Sequence, residues 1–299
     1  MTHVITVPPS LDDFTFEQVL DQVAALPADA KLLVDARHVR WASPYGLTAL
    51  LTLAQTREER LTLAVPELDE TLSYWARAAF FQHAESVYDL TGSYPKRRDS
   101  GESNVLLEIT PIARSDDVHD VVGRVQERAQ KIIKTELKLE SKAIIGFAMT
   151  LSEVCQNIIE HAGRGGWVAV QSYRWTKRLG RRVVVIAVCD AGLGFRRSLE
   201  SMPGHLPSAR WDDAAALEEA VIRGVSRFRE RGRGQGLAGA RNYVGRWNGK
   251  LSVRSGTARI SIVPSWDDDI PLAEGLAPFP GAQVQVIIPE AVPGGGSER

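Results

Sequence analysis

The sequence predicts an α/β protein built as two successive domains, and three observations carry that reading. At 299 residues the chain exceeds one ordinary domain. Within about the first ninety residues, short apolar runs alternate with amphipathic stretches, the pattern of a small α/β layer domain. The segment Thr91 to Asn104 then turns polar, rich in turn formers and without apolar period, so it reads as a linker. The expected division is residues 1–90, a linker over 91–104, a second domain over 105–290 and a flexible tail over 291–299.

A hydrophobic share of 44% is ample for real cores, and 36 lysines and arginines balance 37 acidic residues. No global field favours nucleic acid or a membrane surface, so neither is an expected partner. Cys155 and Cys189 lie in apolar runs, which suits buried free thiols in a reducing compartment. The start Met1 to Val4 lacks the basic and apolar pattern of a signal peptide, and no apolar run is long enough to span a bilayer; a cytoplasmic protein is expected.

Element by element, His3 to Val7 is an apolar strand ended by Pro8-Pro9, and Ser10 can cap a helix burying Phe16, Val19, Leu20 and Val23. Lys31 to Asp35 reads as a buried strand. Ser43 followed by Pro44 is a strong helix start, with the hydroxyl capping and proline at the first helical position. Leu61 to Val65 is a strand and Glu67 to Ala79 a helix, after which Phe80, Phe81, Val87 and Tyr88 supply apolar anchors. Past the linker, whose Lys96, Arg97 and Arg98 read as solvated charge, Val105 to Ile109 is a strand. Ser115-Asp116-Asp117 can cap a helix striped by Val118, Val121, Val122, Val125 and Ala129.

Lys138 to His161 forms a long amphipathic helix, with Ile144, Phe147, Leu151, Val154 and Ile158 at three- and four-residue steps, and glycines from Gly163 close it. Trp167 to Tyr173 alternates as a strand. Arg181 to Cys189 is a second strand, buried, and it leads straight into Asp190-Ala191-Gly192-Leu193-Gly194. Asp212 and Asp213 open a further helix. Arg231 to Leu237 is glycine-rich and basic and runs into a helix over Ala238 to Trp247, before strands at Gly249 to Arg254 and Gln283 to Pro289.

Three stretches carry chemistry. Glu153 and Asn157, one helical turn apart, set a carboxylate that can take a proton beside an amide oxygen that can hold a hard cation. Asp190 at a strand end fixes an acceptor, and Gly192 and Gly194 let backbone pass close to a flat ligand. Arg233, Gly234, Gly236 and Leu237 lead into a helix start, where exposed N–H groups and arginines suit phosphate oxygens. Alone, each has an ordinary reading: a solvated helix face, a capped turn, a basic loop.

In this order and context the three stretches resemble the GHKL (Bergerat-fold) ATPase superfamily, and Ser152 to Ala162 is most similar to its anti-sigma factor serine kinases. Upstream, the order strand, Asp35, turn, then Ser43 to Leu50 entering a helix resembles the STAS fold of anti-anti-sigma factors. The expected fold class is therefore a STAS-like α/β layer domain followed by a Bergerat α/β sandwich. The chain departs from the STAS pattern where it matters: Tyr45 stands at the position that would be phosphorylated and Pro44 at the first hydroxyl.

The resemblance implies ATP and Mg²⁺ as cofactors. Asp190 would meet the adenine amino group, with Gly192 and Gly194 beside it. Asn157 would coordinate the metal and Glu153 would be the base. Gly232, Gly234 and Gly236 would close over the phosphates with Arg231 or Arg233 near the γ-phosphate, while His161 packs or caps the helix end. Gly281-Ala282 stands where the family often has Gly-Thr near the adenine. Residues 264–280 have no assigned place; an acidic surface loop is their simplest reading, and a docking element for a partner the alternative. The implied activity is phosphorylation or reversible binding of a regulatory partner, a sigma factor or STAS-type antagonist. The alternatives are an ATPase driving dimer closure and a non-hydrolysing nucleotide sensor. A homodimer is compatible with the family.

Overall fold

The computed structural model describes residues 1–96, 105–114, 116–124, 141–157, 165–176, 179–202, 211–225 and 236–291. The architecture is mixed α/β, with parallel strands in the N-terminal part and one large antiparallel sheet after it.

The N-terminal part runs β1 (Thr2–Thr6), β2 (Ser10–Leu11), α1 (Phe16–Ala24), β3 (Lys31–Asp35), β4 (Trp41–Ala42), α2 (Pro44–Gln55), β5 (Leu61–Ala64), α3 (Asp69–Arg77), α4 (Phe80–Val87) and β6 (Tyr88–Thr91). Strands β1, β3, β5 and β6 form a parallel sheet in that spatial order, and β2 pairs with β4. Ser10 does not cap α1. It pairs with Trp41 in β2, and Asp12 organises the turn instead, its Oδ1 accepting from the Phe14 and Thr15 amides. The expected 67–79 helix ends at Arg77. Ala79, in the left-handed region at φ 61°, turns the chain into α4 and gathers Trp75, Phe80 and Phe81 into one aromatic cluster.

Ser43 caps α2 as expected, its Oγ accepting from the Gly46 amide at 3.1 Å. Every residue from Pro44 to Ala54 is buried, so this helix, largely apolar, has no solvent face. At Gly46 a Cβ would stand 2.7 Å from both the Leu11 carbonyl oxygen and its Cγ. Gly46→Ala should therefore cost about 1–3 kcal/mol through overpacking, read as a shift in the urea midpoint.

The C-terminal part runs β7 (Val105–Ile112), α5 (residues 116–124), α6 (Ser141–Asn157), β8 (Gly166–Trp175), β9 (Arg181–Asp190), α7 (Gly194–Glu200), α8 (Asp213–Leu217) with a π-helical turn over Glu218–Ile222, α9 (Gly236–Arg246), β10 (Lys250–Gly256), β11 (Ala258–Ile262), β12 (Leu272–Ala273) and β13 (Phe279–Pro289). Its seven strands lie in the order β12-β11-β10-β13-β9-β8-β7. Side chains alternate across a sheet. Val184, Ile186 and Val188 of β9 enter a core with Phe147, Leu151 and Val154 of α6 and Leu237, Ala240 and Val244 of α9. Ala187 and Cys189 point the other way, into a core shared with Leu47, Leu50 and Leu51 of α2. A strand covered on both faces must be apolar throughout, which is why β9 reads as one unbroken run. No helix among the described residues is long and apolar enough to cross a membrane.

The two parts thus meet across the sheet. Tyr74 Oη donates to Gln171 Oε1 at 2.6 Å, Trp167 Nε1 donates to Gln55 Oε1 at 2.9 Å, and the Ile109 amide donates to the Ala78 carbonyl at 2.9 Å. Where β10 and β11 replace β9, the interface turns ionic. Lys250, Arg254 and Arg259 are all buried on the side facing the N-terminal part. Residues 264–280 are not an acidic surface loop. Asp267 and Asp269 turn inward, Lys250 Nζ lying 3.2 and 2.8 Å from them, and Arg259 Nη2 reaches Asp269 at 2.7 Å. The segment supplies counter-charges that the sheet requires, because buried cations are tolerated only when paired.

Candidate functional site

Asp190 ends β9 on the α6 side of the sheet and is only 4% exposed. The Gly192 amide donates to its Oδ1 at 2.8 Å, and the Ala282 amide donates to the same carboxylate. Burial nonetheless dominates these donors and pushes the carboxyl up to about 7. A further hydrogen bond donated by a ligand would stabilise the ionised carboxylate that burial disfavours.

Three strand ends build this cradle. Between Ser255 and Gly256 the pairing of β10 with β13 shifts register from Ala282 to Phe279, which leaves Pro280 and Gly281 as a bulge beside Asp190. Gly281, at φ 84°, is required there: a Cβ would come 2.0 Å from the Asp190 carbonyl oxygen. Ser255 Oγ donates to the Gly281 carbonyl at 2.7 Å and accepts from the Phe195 amide at 3.1 Å, tying α7 to the bulge. Gly194, at φ 72°, brings the loop after Asp190 so close that a Cβ would lie 2.7 Å from Ser255 Oγ.

The other expected residues lie on α6 and α9, the helices packed on this face of the sheet. Glu153 is half-buried on α6, a helix that packs on both β9 and α9. Asn157 is the last described residue of α6, one turn beyond Glu153 as the helical reading requires. Gly236 opens α9. Leu237 is buried in the helix-layer core, so it is a packing residue. Arg231, Gly232, Arg233, Gly234 and His161 lie outside the described residues. Gly146 closes the α6–α9 contact, with the Trp247 ring 2.4 Å from where its Cβ would be. Among the described residues no group of three His, Cys, Asp or Glu side chains could hold a metal by itself.

Comparison with protein-family models, with curated proteins and with solved structures returns no match.

Sequence reasoning missed Ser255, Gln283 and the donor role of Ala282. Gln283, fully buried, donates from Nε2 to the Asp190 carbonyl at 3.2 Å and to the Pro280 carbonyl at 3.0 Å. The available signal was Gln283 and Gln285 alternating within an otherwise apolar strand. The position that the STAS pattern would phosphorylate, Tyr45, is closed off, and so is the neighbouring Ser43 hydroxyl. Ser43 and Tyr45 are 1% and 3% exposed, and the Tyr45 ring packs edge-on against Phe16.

A separate cleft of about 360 Å³ opens at the carboxyl ends of β3, β5 and β6, lined by Arg37, Glu67 and Asp69. Its guanidinium is engaged by Asp35 in a two-point pair at 2.9 and 2.7 Å, which holds the Asp35 carboxyl below its usual range.

Proposed function

We propose that this chain is an ATP- and Mg²⁺-binding regulatory protein of the anti-sigma factor serine kinase kind, a Bergerat-type domain carrying a STAS-like domain on the back of its sheet. The observation that supports it best is the Asp190 cradle. A buried carboxylate at the end of a central strand, flanked by close-approaching glycine backbone and facing the helix that bears Glu153 and Asn157, suits an adenine amino group as donor.

The bound nucleotide would supply the transferable phosphoryl group. Asp190 would hold the adenine base, with room left by the bulge at Gly281; Asn157 would be the residue to hold the metal, and Glu153 the one to take the proton of an attacking hydroxyl. Burial of Ser43 and Tyr45 favours an acceptor on a separate protein over one on the chain's own N-terminal part.

The test uses radiolabelled ATP with Mg²⁺. Glu153→Ala should bind within about twofold of wild type and lose turnover by about a hundredfold or more, whereas Asn157→Ala should lose metal-dependent binding. Turnover retained in Glu153→Ala would refute the base assignment. Label appearing on an added partner separates the kinase from the ATPase, and binding without phosphate release identifies the sensor.

A further inference from the structure

We infer that the first turn of α1, in the N-terminal part, positions the Asp190 cradle through the thickness of the sheet, with Glu17 acting through Arg254. The inference rests on the nucleotide reading for its functional consequence, and on contacts alone for its structural one. At each of the three strand ends that form the cradle, a residue facing the site has a neighbour facing the N-terminal part. Asp190 follows Cys189, Ser255 follows Arg254, and Ala282 precedes Gln283.

Two of those back-facing neighbours are gripped from the N-terminal part. Cys189 Sγ lies 3.3 Å from Thr48 Oγ1 of α2. Arg254, 1% exposed, donates from Nε and Nη2 to the two carboxylate oxygens of Glu17 at 2.7 and 3.1 Å. The same guanidinium donates to the carbonyls of Gly256, the β10 residue paired with Phe279, and of Ala277, two residues before it, and lies over the Phe279 ring at 5.6 Å. Phe279 in turn packs on Phe16, beside Glu17, at 5.7 Å between ring centres.

From Phe279 the chain has only Pro280 and Gly281 before Ala282 donates to Asp190. Gly281 is fixed from the site side by Ser255. The entry to β13 is thus clamped from behind by Phe16, Glu17 and Arg254, and from in front by Ser255. Moving the rear clamp must move the Ala282 amide, because a packed bulge with a Cβ-free contact to the Asp190 carbonyl has no slack. Spatial continuity alone does not demonstrate coupling, so the experiment reads the cradle directly.

Amide hydrogen exchange of Ala282 and Gly192 is measured without nucleotide in wild type, Glu17→Ala and Glu17→Gln, alongside amides of Val34 and Leu63 in the other sheet. Binding of a non-hydrolysable ATP analogue with Mg²⁺ is measured in parallel. The expected result is exchange at Ala282 faster by about tenfold in Glu17→Ala and less in Glu17→Gln, which keeps a hydrogen-bonding group, with Val34 and Leu63 unchanged and analogue affinity reduced by about five- to tenfold. Exchange at Ala282 and Gly192 within twofold of wild type in both variants overturns the inference. So does a uniform rise across both sheets, the mark of general loosening. If wild-type protein binds no analogue, the nucleotide reading fails while the exchange data still decide the coupling.

Discussion

Lys250→Met should lower the unfolding free energy by about 3–5 kcal/mol, the cost of breaking a buried ion pair by removing one partner. The Lys250 side chain is 5% exposed, and those of Asp267 and Asp269 are 0% and 3% exposed. Methionine fills the volume but removes the ammonium both carboxylates share, leaving Arg259 and the neutral donors of Ser261 and Ile270 to Asp269 and the Asp269 amide to Asp267. Burial works against the charged form of Asp269, yet Lys250 and Arg259 outweigh it and hold its carboxyl below the usual range. Removing the ammonium reverses that balance. For Asp269 the folded-state value lies below the unfolded one, so its contribution is present above the unfolded value and is lost as pH falls through the folded one. A guanidinium denaturation series at pH 7 checks the magnitude, and a midpoint unchanged within about 0.5 kcal/mol would contradict it.

Asp190→Asn should have the opposite effect on stability and a large effect on function. The folded-state carboxyl sits at about 7 against an ordinary value of 3.8, so the native state holds a proton that the unfolded state has lost between those limits. Stability therefore falls as pH rises across that window and is flat above it. At pH 8 the ionised buried carboxylate costs on the order of 4 kcal/mol, and an uncharged amide of the same shape relieves most of it. Asp190→Asn should be more stable than wild type at pH 8, with the difference shrinking toward pH 4. The same change replaces an ionisable acceptor with an amide, and it should weaken adenine-nucleotide binding by about a hundredfold or more. A stability cost kept at a site that could shed it is the pattern of a functional residue. Parallel urea curves at pH 5 and pH 8 read the first effect.

Much of this was legible from local pattern. The unbroken apolar run of β9 announced a strand covered on both faces, and the Ser43-Pro44 start gave the cap of α2. Glu153 and Asn157 fell one turn apart on α6 because helical period is a property of adjacent residues. What escaped depended on tertiary register. Asp267 and Asp269 look like surface charge in sequence. They turn inward because Lys250 and Arg259 face the same side on the β10–β11 hairpin, and no local signal marks those cations as buried. The break between α3 and α4 falls at Ala79, an alanine in a conformation usually reserved for glycine, so no turn-forming residue flagged it. The contribution of Ala282 to the cradle is a backbone amide, and side-chain chemistry cannot reveal one.

The shared core also changes how the two parts are read. A polar linker suggests independent units, but α2 packs on β8 and β9, and Glu17 reaches Arg254. The N-terminal part covers the sheet face opposite the Asp190 cradle.

The most direct test of the central claim is calorimetric titration of wild type and Asp190→Asn with a non-hydrolysable ATP analogue and Mg²⁺ at pH 8. The account predicts saturable, magnesium-dependent binding to wild type and a loss of about a hundredfold or more in the variant, with the variant the more stable protein. Equal affinity in the two proteins, or no binding to wild type, would contradict it.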